Sequence, residues 1–335
     1  MSEHKPLYRV ILKRAWHLTW SHRELWIFGF FATFLQTAGV VEIMIKAWSR
    51  VSLEGWNAAA LLQSSYPGAA FVSGLAAGAT EGVRIDPSAL VPIVIVLAIF
   101  VALFWFVSAS EGALVWAAGG GKKKLPAIED SFAHGRSQGW RIALAHVFSK
   151  LLLAALFIVT SLPLILVATE GTYRNLALYF ISFLIFFPLA LIVSFMTIYA
   201  VCAMVISKQH FFHAVHTAWH LFRTHWLISI ETALILFVVS LAGGLAVAIL
   251  ALLLAVPVSL LIVAAFIVGS TTAFGVVATV GVLIVIIFAL LVGAIVTTYQ
   301  LITWTLLYER LARRGGVSKF VRILRAIPKF IFHRV

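Results

Sequence analysis

The chain has 335 residues, 62% of them hydrophobic and only 11% charged, with a mean hydropathy of +1.06 and a formal net charge of +13. Soluble domains are roughly 45–50% apolar and about 25% charged, so a water-soluble globule, a disordered chain and a collagen-like repeat are excluded. The single cysteine, Cys202, excludes an intramolecular disulfide framework, and the expected solvent is the bilayer.

The chain opens on a basic, amphipathic stretch, 1–24. On a helical wheel Leu7, Ile11, Leu12, Ala15 and Leu18 share one face. Arg9, Lys13 and His17 share the other, with Trp16 and Trp20 at the border. This pattern predicts an interfacial helix, with its apolar side in the acyl boundary and Arg9 and Lys13 at lipid phosphates. The apolar run that starts at Leu25 is too long for a signal-peptide core, so it is expected to be a retained first span.

A crossing helix needs about 20 apolar residues. Hairpin 1, 25–116, is predicted from span 1 (Leu25–Ile45), an outer loop 46–89 and span 2 (Leu90–Trp116). The run Gly119-Gly120-Gly121-Lys122-Lys123-Lys124 lacks phosphate-loop spacing and reads as a turn with an orienting charge cluster. Hairpin 2, 117–206, holds span 3 (Ile142–Ala168) and span 4 (Leu176–Ile206). Hairpin 3, 207–307, is led by a helix containing His210, His213, His216, His220 and His225. His213, His216 and His220 have the helical spacing of a three-histidine metal site, but no carboxylate accompanies them. The expectation is therefore a polar face at the headgroup zone and no cofactor, with metal binding or a pH-sensitive switch as alternatives.

A single helix over Trp226–Val268 would be about 64 Å long, twice the hydrocarbon thickness, and Pro257 is the expected break. That gives span 5 (Trp226–Ala255), a short apolar piece Val256–Val268 at the outer face or re-entering, and span 6 (Phe274–Leu307). On span 5, Ser240, Gly244 and Ala248 form a small-residue stripe expected to mark a helix contact, within the chain or in a homo-oligomer. The tail, 308–335, is a second basic amphipathic segment: Lys319, Arg322, Arg325 and Lys329 oppose an apolar face and are further expected contacts for anionic headgroups.

Four charged residues fall inside predicted spans: Glu42, Glu111, Lys150 and Glu231. Charge at mid-bilayer costs at least about 2.5–3.5 kcal/mol. Interfacial placement or ion pairing is expected, with Lys150 snorkelling or meeting Glu111 or Glu231. A proton- or ion-coupled path is the alternative.

Segments 1–24, 117–141, 207–225 and 308–335 together carry 20 basic and 5 acidic residues, whereas 46–89 and 168–175 are balanced. In this sequence the cations follow the membrane surface, and no nucleic-acid partner is expected. The positive-inside rule puts the first set in the cytoplasm. The predicted fold is thus all-α: one polytopic membrane domain over 1–335, with six transmembrane helices in three hairpins, cytoplasmic surface helices and both termini cytoplasmic. An eight-span division stays open.

Ala-Trp-His-Leu occurs at 15–18 and again at 218–221, each time leading into an odd-numbered span, and Phe132–Leu144, with Trp140, is a weaker third copy. The stretches LYRVILKRAWHLTWSHRELWIFGFF and FFHAVHTAWHLFRTHWLISIETALILF resemble those of bacterial six-span membrane proteins related to the membrane domain that precedes some glycerophosphodiester phosphodiesterases. The resemblance implies a fold and a bacterial plasma-membrane location, and it carries over no catalytic residue. No Ser/His/Asp set or paired-carboxylate site is present in the sequence. The leading expectation is a non-enzymatic component that organises lipid or partner proteins. A transporter or channel built from repeated hairpins is second, and a membrane-embedded lipid enzyme third.

Overall fold

A computed structural model of the chain describes residues 7–33, 87–119, 126–170, 173–267 and 271–314. Glu42, most of the outer loop and the tail cations Lys319, Arg322, Arg325 and Lys329 lie outside them. All regular structure among the described residues is helical. Helix α1 is Leu7–Ser21, α2 covers 25–33, α3 is Pro87–Ala118 and α4 is Ile128–Glu170. Then come α5 (Tyr173–Ile206), α6 (Phe211–Ile267) and α7 (Thr271–Arg314). Helices α3 to α7 are each long and apolar enough to cross a membrane. The molecule is all-α and membrane-embedded.

The expected break at Pro257 is not there. Helix α6 runs through it for 57 residues, and the residue that leaves helical geometry is His225, at φ −128° and ψ 29°. Proline costs a helix one hydrogen bond and a clash, but a neighbouring helix can support the chain at that point. Here Val258, next to Pro257, packs on Gly281 of α7. The piece 256–267 therefore continues the helix and neither folds back nor re-enters. Further along, Gly243 meets Val292 and Val296, so α6 and α7 are antiparallel along most of their length. At 1.5 Å per residue the 44-residue α7 is about 66 Å long, so both helices exceed the roughly 30 Å hydrocarbon layer.

Helices α3, α5 and α7 touch one another at the centre. Helix α4 lies against α3 and α5, α6 against α5 and α7, and α1 against α7. Helix α2 reaches α3 through an edge contact of Phe31 with Phe106 at 4.8 Å. It reaches α7 through the Thr33 hydroxyl, 3.0 Å from that of Thr297. The core is concentrated at the basic end of the bundle. Leu114, Tyr199, Met204, Ile228, Ile302 and Leu307 are fully buried there. Leu97, Leu184, Leu252 and Leu260, on the far halves, are exposed, which costs nothing where lipid is the solvent. Buried hydroxyls at Ser108, Ser110, Thr232, Thr298, Thr303 and Thr305 donate to carbonyls one turn back, and so satisfy themselves in an apolar interior.

Candidate functional site

The repeated motif is a three-copy structural unit. Its copies run from Tyr8 to Phe28, Phe132 to Leu152 and Phe211 to Glu231, in one register. Each opens on a half-buried aromatic: Tyr8, Phe132 or Phe211. Seven residues on, a buried small residue (Ala15, Gly139 or Ala218) precedes an exposed tryptophan. Trp16, Trp140 and Trp219 are 54%, 63% and 45% exposed. Six residues after each tryptophan stands a histidine: His22, His146 or His225. His22 lies in the break between α1 and α2, and His225 at the α6 kink. His146 sits inside the continuous α4. The histidine register escaped the sequence reading because Trp140 is followed by Arg-Ile where the other copies have His-Leu.

The opening aromatic of each unit reaches another unit. Phe132 stacks on Phe28 with ring planes 3° apart and centroids at 6.2 Å. Phe211 packs edge-on against Phe148 at 5.8 Å and lines a small apolar cavity with Leu152. The Tyr8 hydroxyl donates to the Glu231 carboxylate. Phe28, Leu152 and Glu231 are equivalent positions: Phe132 stacks on the first and Tyr8 bonds to the last, whereas Phe211 meets Phe148 and shares only a cavity wall with Leu152.

The second polar pair joins Glu111 on α3 to His146 on α4, with Oε2 and Nε2 2.5 Å apart and both side chains largely buried. Close approach allows it. A Cβ on Gly135 would fall 2.2 Å from the Ala109 carbonyl oxygen, and one on Gly139 2.9 Å from the Trp105 indole nitrogen. The expected partnership of Lys150 with Glu111 or Glu231 is corrected accordingly. Lys150 is exposed, while His146, one turn earlier, holds Glu111, and Tyr8 reaches Glu231.

The surface segments also differ from expectation. Ile11, Ala15 and Thr19 of α1 are buried in protein rather than turned to lipid, as are Ala214, Ala218, Leu221 and Phe222 of α6. The ends of α5 and α7 offer an apolar wall that those faces cover. Arg9 and Lys13 point outward. His213, His216 and His220 are exposed along α6, and among the described residues no three His, Cys, Asp or Glu side chains gather to hold a metal ion. Burial at the kink, followed by the charge of His220, holds His225 below its ordinary pKa. In the small-residue stripe, Ser240 accepts a hydrogen bond from Gln300 at 2.5 Å. Gly244 has open space around it and Ala248 is exposed, so within the chain the close α6–α7 contact is made by Gly243 instead.

Searches of family models, curated proteins and solved structures return no match to this chain.

Proposed function

We propose that this protein is a non-enzymatic, multi-pass component of a bacterial plasma membrane that organises anionic lipid at the cytoplasmic leaflet. The observation that carries the reading is the threefold unit. Each copy presents an exposed tryptophan, and the flanking segments carry the chain's excess of cations. Indoles prefer the headgroup level, and each Lys or Arg near an anionic surface contributes about 1 kcal/mol. In this reading three two-span hairpins, six crossings in all, close into a ring through the Tyr8, Phe132 and Phe211 contacts, and both termini are cytoplasmic. The relation to phosphodiesterase-associated membrane domains belongs to the same proposal. The open Gly244–Ala248 face of α6 is where a second copy would dock.

The test is lipid retention. Full-length protein purified from native membranes should carry anionic phospholipid, and K319Q/R322Q/R325Q with R9Q/K13Q should lose most of it. Equal retention by native and variant protein would refute the reading.

The buried Glu111–His146 pair favours a second reading, proton-coupled transport. Proteoliposome flux that vanishes in E111Q would establish it in place of the first.

A further inference from the structure

At the base of the bundle α1 crosses the end of α7. A cavity of about 220 Å³ lies there, lined by Val10, Ile11 and Arg14 of α1 and by Leu306, Glu309, Arg310 and Arg313 of α7. Among the described residues, three arginines and one carboxylate line it. Arg310 and Arg313 are three residues apart and share a face of α7, while Arg14 arrives from the opposite wall. Among the described residues Arg14 and Arg310 form no ion pair, whereas Arg313 NH2 lies 4.0 Å from Glu309 Oε1. The Glu309 side chain is only 11% exposed, so this carboxylate is part of the wall and not a mobile surface group. Ile11 and Leu306 are buried beneath it and give the cavity an apolar floor.

We propose that this cavity binds the phosphate of an anionic phospholipid. The inference rests on the lipid-organising reading above and narrows it to one site. Arginine forks match phosphate oxygens two at a time, which a lysine cannot do. The cavity is smaller than the roughly 300–1,000 Å³ of pockets that enclose drug-sized ligands, so it takes a headgroup and leaves the acyl chains outside. Trp16 and Trp20 of α1 and Trp26 of α2 form a contiguous indole cluster, with centroids 5.5 and 5.4 Å apart, and Trp16 packs edge-on against Tyr299 of α7, two turns before the cavity-lining Leu306. Tryptophans of this kind mark the headgroup level. The charge of the site comes from Arg14, Arg310 and Arg313, none of which stands among the amphipathic-face cations Arg9, Lys13 and Lys319.

The test measures lipid bound to the full chain by native mass spectrometry after reconstitution. The vesicles are phosphatidylcholine with or without phosphatidic acid. R14Q/R310Q should lower phosphatidic acid occupancy about tenfold, the cost of losing charged hydrogen bonds. R14K/R310K should fall between that variant and native protein, because the charge stays and the fork is lost. E309Q should raise occupancy, a gain that misfolding cannot produce. Glycerol 3-phosphate should not displace the lipid, and full displacement would assign the site to a soluble phosphate and overturn the lipid claim. Unchanged occupancy in R14Q/R310Q would overturn the site itself. Loss in the tail variant K319Q/R322Q/R325Q alone would leave the general reading standing while this site fell.

Discussion

Glu111 and His146 meet at 2.5 Å across two helices that glycine allows to touch. A buried carboxylate stripped of its partner is far more costly than one never charged, so the two halves of this pair should respond unequally. His146→Ala should destabilise the protein by about 3–5 kcal/mol. E111Q, which removes the charge and keeps the shape, should cost less. The double variant E111Q/H146A should cost less than the sum of the single variants. Thermal unfolding in detergent, followed by tryptophan fluorescence, measures all three.

Gly135 and Gly244 form an internal comparison. A methyl group on Gly135 would lie 2.2 Å from the Ala109 oxygen and 2.5 Å from the Ala113 nitrogen, both backbone atoms that cannot step aside. Gly135→Ala should therefore force α3 and α4 apart and cost about 1–3 kcal/mol. Gly244 meets nothing within 4 Å. Gly244→Ala should be neutral, or stabilising by up to about 1 kcal/mol through helix propensity. Melting midpoints of the two variants check the contrast.

Tyr8 and Glu231 occupy the positions that hold Phe132 and Phe28 in the neighbouring unit. Y8F withdraws a hydroxyl donor from a half-buried carboxylate and should cost about 1–3 kcal/mol. Y8F/E231L converts the contact to the apolar form used elsewhere in the ring and should recover most of that loss. Proteolysis at the N-terminal helix, compared across the set, reports whether α1 stays docked.

His225 makes stability depend on pH. Its pKa is lowered in the folded chain by burial at the kink and then by His220. Below the ordinary histidine value of about 6.5, the unfolded chain binds a proton that the folded chain resists. Stability is therefore complete above that pH and declines as pH falls through the window beneath it. His225→Gln should remove that part of the slope, measured as melting midpoint between pH 8 and pH 5, roughly the range over which histidine titrates.

Much of the architecture is legible in the residues themselves. Long apolar runs and scarce charge are enough to read an all-helical membrane protein, and Ala15–Leu18 with Ala218–Leu221 reveals two of three repeated units. What stays hidden depends on neighbours. Pro257 looks like a break until Gly281 is seen to bring α7 against the next residue. Ile11 and Ala15 look lipid-facing because a wheel cannot tell a bilayer from an apolar protein wall. Lys150 looks like the partner of Glu111 because an opposite charge is the obvious choice, yet the side chain at the right height is His146. Arg14 lies far along the chain from Arg310 and Arg313, and only the crossing of α1 over α7 brings them to one cavity.

The side of the membrane reached by the chain's two ends is the most direct test of whether its cations serve a single leaflet. Reporter fusions after residue 335 and within residues 46–86, in a reporter pair active on opposite sides of the membrane, decide it. The expected result is a cytoplasmic signal from the carboxy-terminal fusion and an external signal from the loop. An external signal at residue 335 would contradict a cytoplasmic carboxy terminus, and with it the placement of every lipid contact proposed above.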